Sequence, residues 1–147
     1  MRPAALAIAV SLAWTACSMA GSGAPPPMPI EAGKPFSLRP GQSALADDGS
    51  LQVGFEGVTA DSRCPKSVQC VWAGDAIVRV WLQRGAGPKE TRELHAAPGA
   101  AQAVRLLGRE LRLVRLDPYP TAAGPLSKQD YVATLQLGRS TDVDVER

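Results

Sequence analysis

Short runs of alternating apolar and polar residues, separated by turns, constrain the fold of this chain most strongly. Leu51, Val53 and Phe55 fall on one face of such a run, and residues 131–137 repeat the alternation near the end of the chain. A period of two is the spacing of a half-buried strand. Strand patterns about 8–12 residues apart predict an antiparallel β-sandwich or a barrel-like domain. We therefore expect an all-β domain over residues 34–138.

Three segments refine this prediction. Residues 76–82 are apolar on both faces apart from Arg79, which is typical of a central strand. Residues 102–116 fit either a helical stripe or a hairpin that turns at Gly108. The hairpin is favoured because a glycine within a helix costs about 1 kcal/mol. Gly57 shifts the phase of its strand pattern and therefore predicts a bulge.

The composition excludes several classes of protein. The 147 residues include 14 glycines and 13 prolines, an excess that disfavours a helix bundle. Sixteen basic and 14 acidic residues leave a formal net charge of only +2. Since nucleic-acid binding depends on a basic surplus, we expect no nucleic-acid partner.

The first 16 residues have the character of a signal peptide. After Arg2, an uncharged run from Ala4 to Ala16 is too short for a helix that spans a bilayer, which needs about 20 apolar residues. Thr15, Ala16 and Cys17 resemble the end of a bacterial lipobox, although Trp14 departs from that motif. Cleavage before Cys17 would make this cysteine a lipid attachment site. Cleavage after Ala20, by an ordinary signal peptidase, would instead remove it.

A linker rich in proline and glycine follows the signal peptide. Residues 17–33 predict a flexible tether, because proline removes backbone donors and glycine adds conformational freedom. The expected location is the periplasmic side of a bacterial cell envelope, with a lipid anchor in the outer membrane; the alternative is a soluble periplasmic or secreted protein. Residues 139–147 predict a C-terminal edge strand or a tail.

Cys64 and Cys70 predict a disulfide. Cysteines of exported proteins are normally oxidised, and this pair would close a small loop between two strands. Such a bridge contributes about 2 kcal/mol in the chain-entropy model. We expect Trp72 to pack beside the sulfurs or to cap one end of a sheet. Gly74 is expected to have a positive φ at the entry to the next strand.

The stapled segment is also a candidate recognition loop. Arg63, Lys66 and Gln69 are expected to be displayed on it, with Trp72 as a further contact residue. A stapled loop loses less conformational entropy on binding than a free one. A redox role is disfavoured because the pair lacks Cys-x-x-Cys spacing.

The residues around the cysteines resemble a group of uncharacterised bacterial exported proteins and lipoproteins. The shared pattern is a segment of the type DSRCP-x4-CVWAGDA, here residues 61–76, together with the later LDPYP of residues 116–120. The resemblance covers about residues 35–137. It implies an envelope location and an all-β domain, and it implies no activity.

No catalytic motif is present in the sequence. His95 is the single histidine, no Gly-x-Ser-x-Gly elbow occurs, and no acid is spaced to suggest a triad. We therefore predict no catalytic residue, no metal and no cofactor. The aromatic residue before Pro120 makes a cis bond possible between Tyr119 and Pro120.

Together these features predict a non-enzymatic lipoprotein that binds another envelope protein as its partner and contacts the membrane only through its lipid. One alternative is an inhibitor of an exported protease that presents residues 61–70. The other is an enzyme or a metal-binding protein that uses Cys64, Cys70 and His95; one histidine without a Cys-x2-Cys pair disfavours a zinc site.

Overall fold

The computed structural model describes residues 23–46 and 49–139. These residues contain nine strands, which form two sheets. The strands are β1 (Met28–Pro29), β2 (Pro35–Leu38), β3 (Ser43–Ala46), β4 (Leu51–Asp61), β5 (Ala76–Arg84), β6 (Lys89–His95), β7 (Ala103–Leu106), β8 (Arg109–Asp117) and β9 (Val132–Arg139). One sheet has the order β1-β3-β4-β5-β6 and the other the order β2-β9-β8-β7. The predicted all-β sandwich with one disulfide is confirmed.

The alternating residues of both sheets bury their apolar side chains in a common core. On β4 the side chains of Leu51, Val53 and Phe55 are fully buried, as the alternation predicts. All strand pairs are antiparallel except β1 and β3, which run parallel. The largest fully buried side chains are those of Phe55, Leu38, Leu51, Leu82, Leu94, Leu111, Leu135, Leu137, Val53, Val78 and Val80.

Strand β5 lies between β4 and β6, as its apolar sequence predicts. Its outer face carries Trp81, whose indole is nevertheless buried because it lies over Gly54 of β4. A Cβ atom at Gly54 would lie only 2.0 Å from the indole carbon Cε2 of Trp81. The ammonium group of Lys89 covers the same ring at 4.1 Å from its centroid. Glycine at position 54 thus makes room for the tryptophan.

Residues 102–116 contain a hairpin and no helix. Strands β7 and β8 pair from Leu106↔Arg109 outward, and the turn residues Leu107 and Gly108 have φ values of 50° and 72°. Two consecutive positive φ values are those of a type I′ turn. The predicted bulge at Gly57 is also confirmed, since the register of β4 against β5 shifts between Phe55 and Gly57.

The folded unit begins earlier than the predicted boundary at residue 34. Met28 and Pro29 pair with β3, and the amide of Ile30 donates to the carbonyl of Leu45 at 2.8 Å. The predicted tether of residues 17–33 therefore includes a short edge strand.

Several predictions concern residues outside the described ranges. These are the signal peptide of residues 1–16, the lipid attachment site Cys17, and the tail beyond Arg139, which itself ends β9. Within the described ranges, no helix has the length and apolar character needed to cross a membrane.

Candidate functional site

The segment between β4 and β5 forms a loop that is closed by a disulfide at one end of the sandwich. We call residues 61–75 the disulfide loop. Cys64 and Cys70 are bonded, with their Cα atoms 5.9 Å apart, which confirms the predicted pairing. In the disulfide neither sulfur is a thiolate, which is the form of cysteine that binds a metal ion.

Backbone hydrogen bonds close the base of the disulfide loop. The amide of Ser62 donates to the carbonyl of Asp75 at 2.7 Å, and the amide of Cys64 donates to that of Ala73 at 2.9 Å. Gly74 has the expected positive φ, 70°, and a Cβ atom there would lie 1.8 Å from the carbonyl oxygen of Ser62. A larger residue at position 74 would therefore force the two sides of the base apart.

Arg63 anchors the loop instead of being displayed on it. Its side chain is buried, and its Nη2 and Nε atoms donate to the two carboxylate oxygens of Asp61 at 2.7 and 2.9 Å. Burial opposes ionisation of Asp61, but hydrogen bonds from Arg63 and Tyr131 outweigh it and lower the pKa of this carboxyl. The prediction that Arg63 is exposed for recognition is wrong, because the guanidinium is used internally.

The same guanidinium connects the loop to the second sheet. Nη1 donates to the carbonyl of Leu116 at 2.9 Å and Nη2 to that of Pro118 at 3.0 Å, both at the end of β8. The ring of Tyr119 covers the guanidinium carbon at 4.9 Å from the ring centroid. Arg63 thus holds a loop of one sheet against the end of a strand of the other.

Two further contacts complete this attachment. The amide of Lys66 donates to the carbonyl of Pro120 at 3.0 Å, and the hydroxyl of Tyr131 donates to Asp61 at 3.0 Å. Burial and the neighbouring Asp61 carboxylate raise the pKa of Tyr131 to about 12. The cis peptide bond of this region lies between Asp117 and Pro118, and the bond before Pro120, where the sequence makes a cis form possible, is not cis.

The far side of the disulfide loop exposes apolar side chains. Val71 is 92% exposed, Trp72 is 82% exposed and Val68 is 45% exposed. Lys66 and Gln69 are exposed too, as predicted. The prediction that Trp72 packs beside the sulfurs or caps a sheet is wrong, since most of its surface faces solvent. We call Val68, Val71 and Trp72 the apolar tip.

An acid–histidine pair, which the sequence did not predict, lies beside the base of the loop. Asp75 Oδ2 is 2.5 Å from Nδ1 of His95, and Asp75 Oδ1 accepts hydrogen bonds from the amides of Ala76 and Ala97. Burial opposes ionisation of Asp75, but these hydrogen bonds lower its pKa. The contact results from the pairing of β5 with β6, because this pairing places the residue before β5 next to the end of β6.

This pair is not part of a larger group of metal-ligating residues in the described part of the chain. No group of three or more histidine, cysteine, aspartate or glutamate residues within residues 23–46 and 49–139 is placed to hold a metal ion. Asp75 instead connects the loop base, the start of β5 and the segment after β6. Its hydrogen bonds hold these three segments together.

Comparison with protein-family models, with curated proteins and with solved structures finds no match to this chain.

Proposed function

We propose that this protein is a non-enzymatic binding module of the bacterial cell envelope, and that the apolar tip of the disulfide loop contacts its partner. The observation that carries the proposal is the exposure of Val71 and Trp72, at 92% and 82%. Adjacent large apolar side chains on a monomer surface are characteristic of interaction sites. Tryptophan is among the residues that contribute most to binding at protein interfaces.

The rigidity of the loop supports this role. The Cys64–Cys70 bond, the backbone hydrogen bonds at the base and the buried Arg63 side chain fix the loop before any partner arrives. Ordering a flexible loop on binding costs about 0.5–1.5 kcal/mol for each immobilised side chain. A preformed loop avoids much of this cost.

The envelope location rests on the N-terminal sequence. The signal-like residues 1–16, the cysteine at position 17 and the proline-rich stretch that follows support export, lipidation and a spacer before β1. We infer that the partner is another envelope protein and that the membrane is contacted through the lipid alone. Mass spectrometry of the protein from envelope fractions should find a diacylated Cys17. A soluble mature chain that begins near Gly21 would contradict the anchor.

Substitution at the apolar tip tests the binding function. Val71→Ser combined with Trp72→Ser should abolish co-purification of a crosslinked partner from envelope extracts, while the free energy of unfolding stays within about 0.5 kcal/mol of the parent because both sites are exposed. Val114→Ser is the matched control, since Val114 is an exposed valine, 51% accessible, on the other sheet. A partner that both variants retain would overturn the proposal. An exported protease as the captured partner would identify the module as an inhibitor.

A further inference from the structure

Within residues 23–46 and 49–139, part of β4 has no neighbouring strand on one side. Strand β3 pairs with β4 only from Leu51 to Gly54, and the last backbone hydrogen bonds on that side join Phe55 to Gly41 and Gln42 at 2.8 and 3.1 Å. From Glu56 to Asp61, β4 pairs with β5 on its other side and with no described residue on this one. Six strand residues correspond to about 20 Å of free edge.

A groove follows this free edge. One cleft, with a volume of about 500 Å³, is lined by Val58 to Asp61 on one side and by residues of the 120–131 segment on the other. A second hollow of about 250 Å³ continues it at Glu56 and Gly57. Lys128 lines both. The free edge of β4 and the 120–131 segment therefore line the same cleft.

The charges in the groove favour an acidic occupant. Asp61 is paired with Arg63. Glu56 lies 3.9 Å from Arg79, which also pairs with Glu93 at 3.2 Å. Lys128 forms no ion pair with any residue of the described ranges and is exposed. Among the cations that line the groove, Lys128 is thus the one without an acidic partner in the described ranges, and the walls around it include Val58, Pro125 and Leu126.

We propose that this groove binds an extended, acidic segment of a partner protein, which adds to β4 as a further strand. Addition of a peptide strand to a sheet edge supplies affinity through backbone hydrogen bonds and specificity through alternate side chains. Here apolar side chains of the added segment would contact Val58, Pro125 and Leu126, and its carboxylates would reach Lys128. The site is separate from the apolar tip and does not depend on the function proposed for it.

The shape of the edge limits what can pair with it. The register of β4 shifts between Phe55 and Gly57 and again between Val58 and Ala60. Such bulges bend a strand and prevent long, unselective pairing with other chains. The groove therefore admits a short segment that follows the bend.

Peptide titration tests the proposal. The capped peptide EVEVEV should shift the amide resonances of residues 56–61 and 121–131 of the isotopically labelled protein and slow hydrogen exchange at the β4 edge. The peptide KVKVKV should bind more weakly, and EVEVEV methylated at alternate backbone nitrogens should not slow exchange at this edge. Lys128→Glu should weaken binding of EVEVEV about fivefold, the size of one surface charge interaction.

Two controls separate this site from other surfaces. Lys34→Glu changes an exposed lysine that does not line the groove, and Trp72→Ser changes the apolar tip; both should leave the affinity for EVEVEV unchanged. Equal binding of EVEVEV and KVKVKV, equal binding of the methylated peptide, shifts located elsewhere, or no binding at millimolar peptide would each overturn the proposal.

Discussion

At the residue scale, the Asp61–Arg63 pair links the loop to the fold. Two side chains that are 9% and 7% exposed share two hydrogen bonds, and the guanidinium also satisfies two carbonyl oxygens from the end of β8. Removal of one partner of such a buried pair is strongly destabilising, because the other partner is left as a buried charge without a counterion.

Arg63→Met should therefore lower the free energy of unfolding by about 3 kcal/mol, because it leaves a buried carboxylate and two carbonyl oxygens without their donor. Urea denaturation measures the change. Lys66→Met, three residues away and exposed, is the control and should change stability by no more than about 0.5 kcal/mol. Equal effects of the two substitutions would show that Arg63 is not an anchor.

Tyr131 should make stability depend on pH in the alkaline range. Burial and the Asp61 carboxylate raise its pKa from the ordinary value of 10.0 to about 12, so the folded state retains a proton that the unfolded state releases. Its contribution is therefore fully present below about pH 10 and is lost as the pH rises toward 12, by on the order of 2–3 kcal/mol. Denaturant midpoints across this range should fall more steeply for the parent than for Tyr131→Phe. Parallel curves would contradict the assignment.

The sequence could not indicate the role of Arg63. An arginine beside a cysteine in a polar loop is normally exposed, and its carbonyl partner at Leu116 lies 53 residues away. The exposure of the apolar tip could not be predicted from the sequence for a related reason. Tryptophan is usually mostly buried, so Trp72 was expected to cover the disulfide or a sheet end, whereas its neighbours leave it in solvent.

At the scale of elements, the base of the disulfide loop depends on close approach of two backbone segments. Gly74→Ala should destabilise the protein by at least about 2 kcal/mol, since it combines a positive φ with a Cβ atom 1.8 Å from the Ser62 carbonyl oxygen. Gly99→Ala is the control that shows the effect of a positive φ alone, because Gly99 has a φ of 81° but no atom within 4 Å of its Cβ position. The difference between the two variants gives the effect of the close contact at Gly74. Thermal denaturation of both variants gives the comparison, and equal losses would show that the contact at Gly74 is unimportant.

Removal of the disulfide should weaken the loop and the domain together. The variant with Cys64→Ser and Cys70→Ser should lose about 2 kcal/mol, which corresponds to a fall in Tm on the order of 10 °C for a domain of this size. Calorimetry of the parent with and without reductant provides the matched comparison. An unchanged Tm in both cases would mean that hydrogen bonds alone hold the loop.

The strands themselves were predictable where alternation is clean. Residues 51–55 and 131–137, the apolar run of β5 and the turn at Gly108 all carry local signals that agree with the final structure. Strand β1 carries none, because three prolines precede it and Pro29 is one of its two residues, so that its pairing with β3 is visible only in the folded structure. The pairing of Asp75 with His95 likewise appears only once β5 and β6 are placed side by side.

At the scale of the whole molecule, the two sheets meet in one core, and the disulfide loop is fixed across one end of the sandwich. Arg63 joins the end of β4 to the end of β8, so movement of the loop would require the two sheets to separate locally. The apolar tip and the groove beside β4 both lie near the end of the sandwich that carries the disulfide loop. A partner that occupies both would contact the loop and the β4 edge together.

The most direct test of the proposed binding function is site-specific photocrosslinking in the native cell. A photoreactive phenylalanine analogue at position 72 should give a discrete crosslinked product with an envelope protein, and the same analogue at position 114 should not. The yield should fall when Cys64 and Cys70 are replaced by serine, because the tip is then no longer held. No product from position 72, or the same product from position 114, would contradict the role of the disulfide loop in recognition.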